Sequence, residues 1–177
     1  MLHVLGCIVE EHDLRLVVLA AALCVAACGA AMAMFARAGA TTGRAQKIWI
    51  WSSGAVAGFG IWSTHFVAML AYKSSFPVAY APDFTFASMV IAAVMSGVGF
   101  NIARSPAGGH TGGLVMGLAI AAMHYVGMFG VQAPADHVWD ARYVAVSVAF
   151  GSLLTSVALG VAVHRTHVRR LAAGRFG

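Results

Sequence analysis

A histidine inside an apolar stretch long enough to cross a bilayer is rare and usually functional, and this chain carries one twice in the same phrase. Gly54-x3-Gly58-x6-His65-Phe66-Val67-Ala68-Met69 recurs as Gly113-x3-Gly117-x6-His124-Tyr125-Val126-Gly127-Met128. Repetition of glycine, imidazole, aromatic and thioether at fixed offsets points to a duplicated membrane unit. The 177 residues are 60% hydrophobic and 10% charged, far below the roughly 25% charge of soluble domains. Apolar runs at 14–35, 48–72, 84–103, 113–131 and 143–163 each have the roughly 17–25 residues that a spanning helix needs. The expected fold is an all-α integral membrane bundle of five transmembrane helices, built from repeated helix pairs.

The charges orient the bundle. Arg37, Arg44 and Lys47, then Arg104, then Arg165, Arg169, Arg170 and Arg175 occupy alternate connections and face the cytoplasm by the positive-inside rule. Glu10, Glu11 and Asp13, then Lys73 and Asp83, then Asp136, Asp140 and Arg142 mark the other side. The N-terminus is therefore expected outside and the C-terminus in the cytoplasm. The net charge of +5 is a topology signal and calls for no nucleic-acid partner. A cleaved signal peptide is not expected, since the first thirteen residues carry three acids and no Lys or Arg. Cys24 and Cys28 share one face of the first helix and read as buried small hydrophobes, while Cys7 is a further soft-donor candidate.

Asp13-Leu-Arg-Leu, Asp83-Phe-Thr-Phe and Asp140-Ala-Arg-Tyr each open an odd-numbered helix, and Asp at a helix start is a common N-cap. Their recurrence divides a membrane domain at 1–165 into a pair at about 7–72, a second at about 83–133 and a half pair at about 140–165, followed by a basic tail at 166–177. From helical rise, His65 lies about 25 Å along its helix and Met69 about 6 Å further, while His124 lies about 17 Å in and Met128 about 23 Å. His12, His65 and His124 thus fall in one outer layer with Met69, Met123 and Met128. His and Met four residues apart share a helix face. The glycines seven and eleven positions earlier lie near that face, and small-xxx-small patterns allow close helix approach. Gly54, Gly58, Gly113 and Gly117 could join the two histidine-bearing helices, or form seams of a homo-oligomer.

Imidazole with thioether favours a soft or borderline metal, copper above all, so the candidate ligands are His12, His65, Met69, Met123, His124 and Met128. Two membrane-embedded histidines also suit bis-His haem as a second choice. Histidine packing without a cofactor, in a structural subunit, is the plain alternative. No Ser-His-Asp order, phosphate loop or paired carboxylate site is present, and no enzyme is expected.

At Met123-His124-Tyr125-Val126-Gly127-Met128 the chain resembles the MHYT family of bacterial integral membrane sensor domains. The likeness extends from Gly6-Cys7 and Glu11-His12-Asp13-Leu14-Arg15-Leu16 through Gly60-Ile61-Trp62-Ser63-Thr64-His65-Phe66 to the Asp140 segment. It implies a multi-pass protein of the inner membrane whose outer His-Met motifs are proposed to bind copper and sense oxygen, carbon monoxide or nitric oxide. In that family the membrane unit often precedes domains that make or degrade cyclic di-GMP. Thr64 replaces a usual Met, and Val126 replaces the name-giving Thr. Three motif-bearing pairs are usual, which leaves a five-helix ligand set to be completed by a second subunit. Only a short basic tail follows the last helix, so a separate output protein is the expected signalling partner, and copper handling without signalling is the other reading. A fluorescent reporter fused after Arg165 is expected to mature in the cytoplasm, and alkaline phosphatase inserted between 73 and 83 to be active outside; the opposite pattern overturns the orientation.

Overall fold

The computed structural model describes residues 11–73, 77–105, 107–134 and 139–173, with backbone only from 167 onward. Cys7 and Asp136 lie outside the described residues. Among the described residues five helices form: α1 (Leu14–Ala38), α2 (Gly43–Ala71), α3 (Pro82–Ala103), α4 (Gly109–Phe129) and α5 (Ala141–Ala173). All five are long and apolar enough to cross a membrane. They run up and down in a serpentine row, each packing mainly on its neighbours in sequence. Most of each apolar span remains uncovered by protein, α1 being the least buried and α3 the most. Outward side chains such as Val25, Phe86, Phe150 and Leu153 therefore require a hydrocarbon surrounding. Cys24 and Cys28 are exposed on α1, so the expectation that they fill a protein core is corrected: they lie on an apolar face that the chain itself does not cover.

The helix starts follow ordinary capping chemistry. Asp13 accepts from the backbone N–H of Arg15 at 2.9 Å and Asp140 from that of Arg142 at 2.8 Å. Asp83 instead sits in the first turn of α3, behind Pro82, where a carboxylate still favours the positive end of the helix dipole.

Glycine determines how the row packs. Gly54 and Gly58 of α2 meet Gly97 and Ala93 of α3, and Gly113 and Gly117 of α4 meet Ser156 and Ser152 of α5, so closely that any Cβ would overlap the opposing backbone. Both crossings have the same register. Positions 54, 58, 93 and 97 become 113, 117, 152 and 156 on adding 59 residues, so the duplication of the histidine phrase is a duplication of the helix crossing. It pairs α2 with α3 and α4 with α5, a different phase of the array from the pairs at 7–72 and 83–133. The seams also face other partners than expected. They are filled within one chain, which leaves them unavailable to a second copy and does not join α2 directly to α4.

One cluster of buried side chains lies toward the end bearing Arg37, Arg104 and Arg165, here the arginine end. Phe35, Ile50, Phe100, Leu159 and Val163 form one cluster there, with the Phe35 and Phe100 rings 5.1 Å apart and the Arg37 guanidinium 5.4 Å above the Trp49 ring.

The opposite, histidine end is tied by backbone bonds. A two-stranded antiparallel ribbon pairs β1 (Ala79–Tyr80) with β2 (Val131–Gln132), with Ala79 opposite Gln132 and Tyr80 opposite Val131. The Ala81 N–H donates to the Gly130 carbonyl at 2.8 Å. His12 and Tyr72 form an isolated antiparallel bridge, flanked by Asp13 N–H to Ala71 O and Lys73 N–H to Glu11 O, both 2.8 Å. Gly54→Val is expected to destabilise the fold by about 1–3 kcal/mol through overpacking, measured by unfolding in detergent. Gly29→Val, where nothing lies within 4 Å of the added carbon, provides the comparison and should stay close to wild type.

Candidate metal centre

His65 lies seven positions after Gly58 and His124 seven after Gly117, close to two helical turns, so each imidazole projects on the side of its helix that carries the seam. With α2 against α3 and α4 against both α3 and α5, the two histidines converge although their helices barely touch. Their ring centroids are 4.9 Å apart at an interplanar angle of 75°, an edge-to-face contact between two repeat-equivalent residues.

The pair sits within a chain of rings. Phe66 contacts His65 at 5.5 Å, Trp62 at 4.7 Å and Tyr80 at 5.6 Å. On the far side Tyr125 contacts His124 at 5.0 Å and Trp139 at 5.3 Å. Burial pushes the phenol of Tyr80, in the ribbon above the helices, to a pKa over its ordinary value, so it stays a neutral hydroxyl.

Hydrogen bonding leaves a gap at the centre. Nε2 of His65 and the hydroxyl oxygen of the preceding Thr64 are both buried and have no hydrogen-bond partner among the described residues. An unmatched buried polar group costs on the order of 1–3 kcal/mol. The neighbouring polar groups are satisfied. Trp62 Nε1 donates to the Ser88 hydroxyl at 3.2 Å, and Tyr125 and Ser147 share a hydroxyl bond of 2.9 Å. Ser88 and Ser147 are again 59 residues apart, and they donate to the carbonyls of Thr85 and Val144, which are too. Beside His124 a cavity of about 190 Å³ opens between α4 and α5, lined by Gly117, Ile120, Ala121, Tyr125, Ser147 and Val148.

The other sequence candidates fall at different distances from this pair along the fold. Met69 and Met128, both half-buried, lie one turn beyond His65 and His124 on the same helix faces. Met123 is 1% exposed and occupies a core position about 100° around α4 from His124. The His12 ring packs edge-on against Tyr72 at 5.5 Å, ahead of α1. Among the described residues no group of three or more His, Cys, Asp or Glu side chains is placed to hold a metal, so His12 does not join His65 and His124 in a three-donor cluster. Ser88 and Ser147 escaped the sequence reading, although their spacing matches the histidine repeat.

The family model described as a bacterial signalling protein N-terminal repeat, MHYT, matches residues 58–112 and 117–175. The chain belongs to the MHYT family. The two matched segments start 59 residues apart, at Gly58 and Gly117, the offset seen in the helix crossings. Over 96% of its length the MHYT chain is 36% identical to an uncharacterized signaling protein of Caulobacter vibrioides and 30% identical to the bifunctional diguanylate cyclase/cyclic di-GMP phosphodiesterase MucR of Pseudomonas aeruginosa. Over 63% of its length it is 35% identical to the cyclic di-GMP phosphodiesterase NbdA of the same organism. It spans 21%, 26% and 15% of those three proteins. No solved structure matches.

In a double-mutant cycle, Tyr125→Phe and Ser147→Ala are expected to couple by about 0.6 kcal/mol, the average for hydrogen bonds between membrane helices. Strict additivity of the two unfolding free energies would remove the bond from the site.

Proposed function

We propose that this MHYT domain is the sensory part of a signalling protein of the bacterial inner membrane, holding copper at His65 and His124 with Met69 and Met128, and responding to a diatomic gas. The carrying observation is the pair of repeat-equivalent imidazoles in contact, one of them with a buried, unmatched Nε2. Neutral imidazole and thioether suit copper, so the donors present fit the group the family implies. His12 and Met123, packed elsewhere, are left out of this ligand set. Bound copper would supply an electron-rich centre for oxygen, carbon monoxide or nitric oxide.

The chain's own residues hold and shield that site. The glycine crossings set the rotation of α2 and α4, the Trp62 to Trp139 rings exclude water, and the cavity beside His124 is a lateral approach for a small apolar molecule. The membrane unit itself performs no catalysis. The Pseudomonas relative named for making and degrading cyclic di-GMP suggests the kind of output such a unit controls. In the topology read from the basic residues, the histidine end faces outward. Haem ranks below copper because the edge-to-face contact leaves no slot for a macrocycle between the two rings.

His65→Ala with His124→Ala is expected to reduce copper in protein purified from copper-supplemented cells from near stoichiometric to background, read by elemental mass spectrometry. Undiminished copper in the folded variant overturns the assignment. Copper passed to an acceptor protein, with no spectral response to gas, would make the domain a copper-handling protein instead.

A further inference from the structure

A second cluster of protonatable and cationic groups lies at the arginine end, remote from the histidine pair and independent of its reading. A cavity of about 390 Å³ there, between the first turn of α4 and the later turns of α5, is lined by Gly109, His110, Gly160, Val163, His164 and Arg165 among others. That volume is within the roughly 300–1,000 Å³ of small-molecule sites.

The site is built by packing. The His110 imidazole lies directly over Gly160, where any Cβ would run into the ring, and the Ser156 hydroxyl donates to the His110 carbonyl at 2.9 Å. His110 is thereby held at the cavity, while His164 and Arg165 follow Gly160 by about one turn of α5. The Gly108 cap of α4 offers no side-chain hydrogen bond to the N–H groups of the first turn, which leaves the positive helix end beside the cavity.

Two further observations point to an anionic ligand. The four described carboxylates, Glu11, Asp13, Asp83 and Asp140, all stand at the histidine end, so among the described residues no acidic side chain offsets this charge. The cluster also breaks the internal symmetry. Subtracting the 59-residue repeat offset from His110, His164 and Arg165 gives Trp51, Ser105 and Pro106. The first repeat folds without these three groups, so the helix crossing does not require them.

Depth selects the class of ligand. Arg165 lies 24 residues after Ala141, about 36 Å along α5, which carries it past a hydrocarbon layer of roughly 30 Å to headgroup level. The wall below is apolar, with Val163 only 2% exposed. We propose that this cavity binds the phosphate headgroup of an anionic phospholipid, with His110, His164 and Arg165 on the phosphate and the valines against the glycerol and upper acyl chains. Basic pockets between membrane helices bind such headgroups in general.

The test is native mass spectrometry of the full chain in mild detergent with phosphatidylglycerol or phosphatidylcholine, alongside thermal unfolding. Phosphatidylglycerol is expected to be retained selectively and to raise the unfolding temperature. Arg165→Gln should weaken retention about fivefold, His110→Gln should weaken it in the same direction, and Arg165→Lys should restore most of it. The pair Arg37→Gln and Arg44→Gln, at the same end on α1 and α2, should leave it unchanged. Equal retention of both lipids, no loss in Arg165→Gln, or an equal loss in the Arg37 and Arg44 pair would overturn the proposal. Stabilisation by millimolar inorganic phosphate alone, lost in Arg165→Gln, would assign the cavity to a soluble phosphate compound and overturn the lipid reading.

Discussion

Backbone contact at glycine is the constraint on which the rest of this molecule depends. In hydrocarbon no hydrophobic force draws helices together, so association rests on close packing and on polar bonds between helices. Gly54 and Gly58 let α2 lie on the backbone of α3, and Gly113 and Gly117 let α4 lie on that of α5. Because those glycines are two and three turns from the histidines, the same contacts fix the azimuth of His65 and His124. A bulkier seam would separate the helices and turn the imidazoles away from each other.

Polar groups within the bundle follow from that closeness. Trp62 reaches Ser88 and Tyr125 reaches Ser147, each bond linking a histidine-bearing helix to the one that follows it. Ser53 donates back to the Trp49 carbonyl of its own helix at 2.7 Å. Among the described residues four buried polar atoms lack a partner, the Ser96 and Ser152 hydroxyls at the glycine crossings and the Thr64 hydroxyl with His65 Nε2, and of these only the His65 nitrogen belongs to a ring in contact with the second imidazole. A polar site surrounded by matched polar groups and aromatic rings is what distinguishes the histidine end from the aliphatic and phenylalanine cluster at the arginine end.

The sequence disclosed the five spans because apolar runs of that length have one stable form in a bilayer. Their ends were less legible: α2 begins at Gly43, α1 extends to Ala38 and α5 to Ala173, since a helix does not stop where its hydropathy does. The meeting of His65 and His124 was readable from depth and repetition. Which faces the glycines met was not, because a small-xxx-small pattern names no partner. The ribbon at Ala79–Tyr80 and Val131–Gln132 was equally hidden, since two residues in each of two connections make no periodic signal. Met123 showed the limit of proximity in sequence, for the residue next to His124 points into the core.

The ribbon and the His12 to Tyr72 bridge fasten together the connections at one end of the helices, while at the other end the described turns link only consecutive helices. That other end is closed by packing instead, since Phe35, Ile50, Phe100, Leu159 and Val163 bring α1, α2, α3 and α5 into one cluster there. The two ends are thus held by different forces, backbone hydrogen bonds between connections around the imidazole pair and side-chain packing at the arginine end.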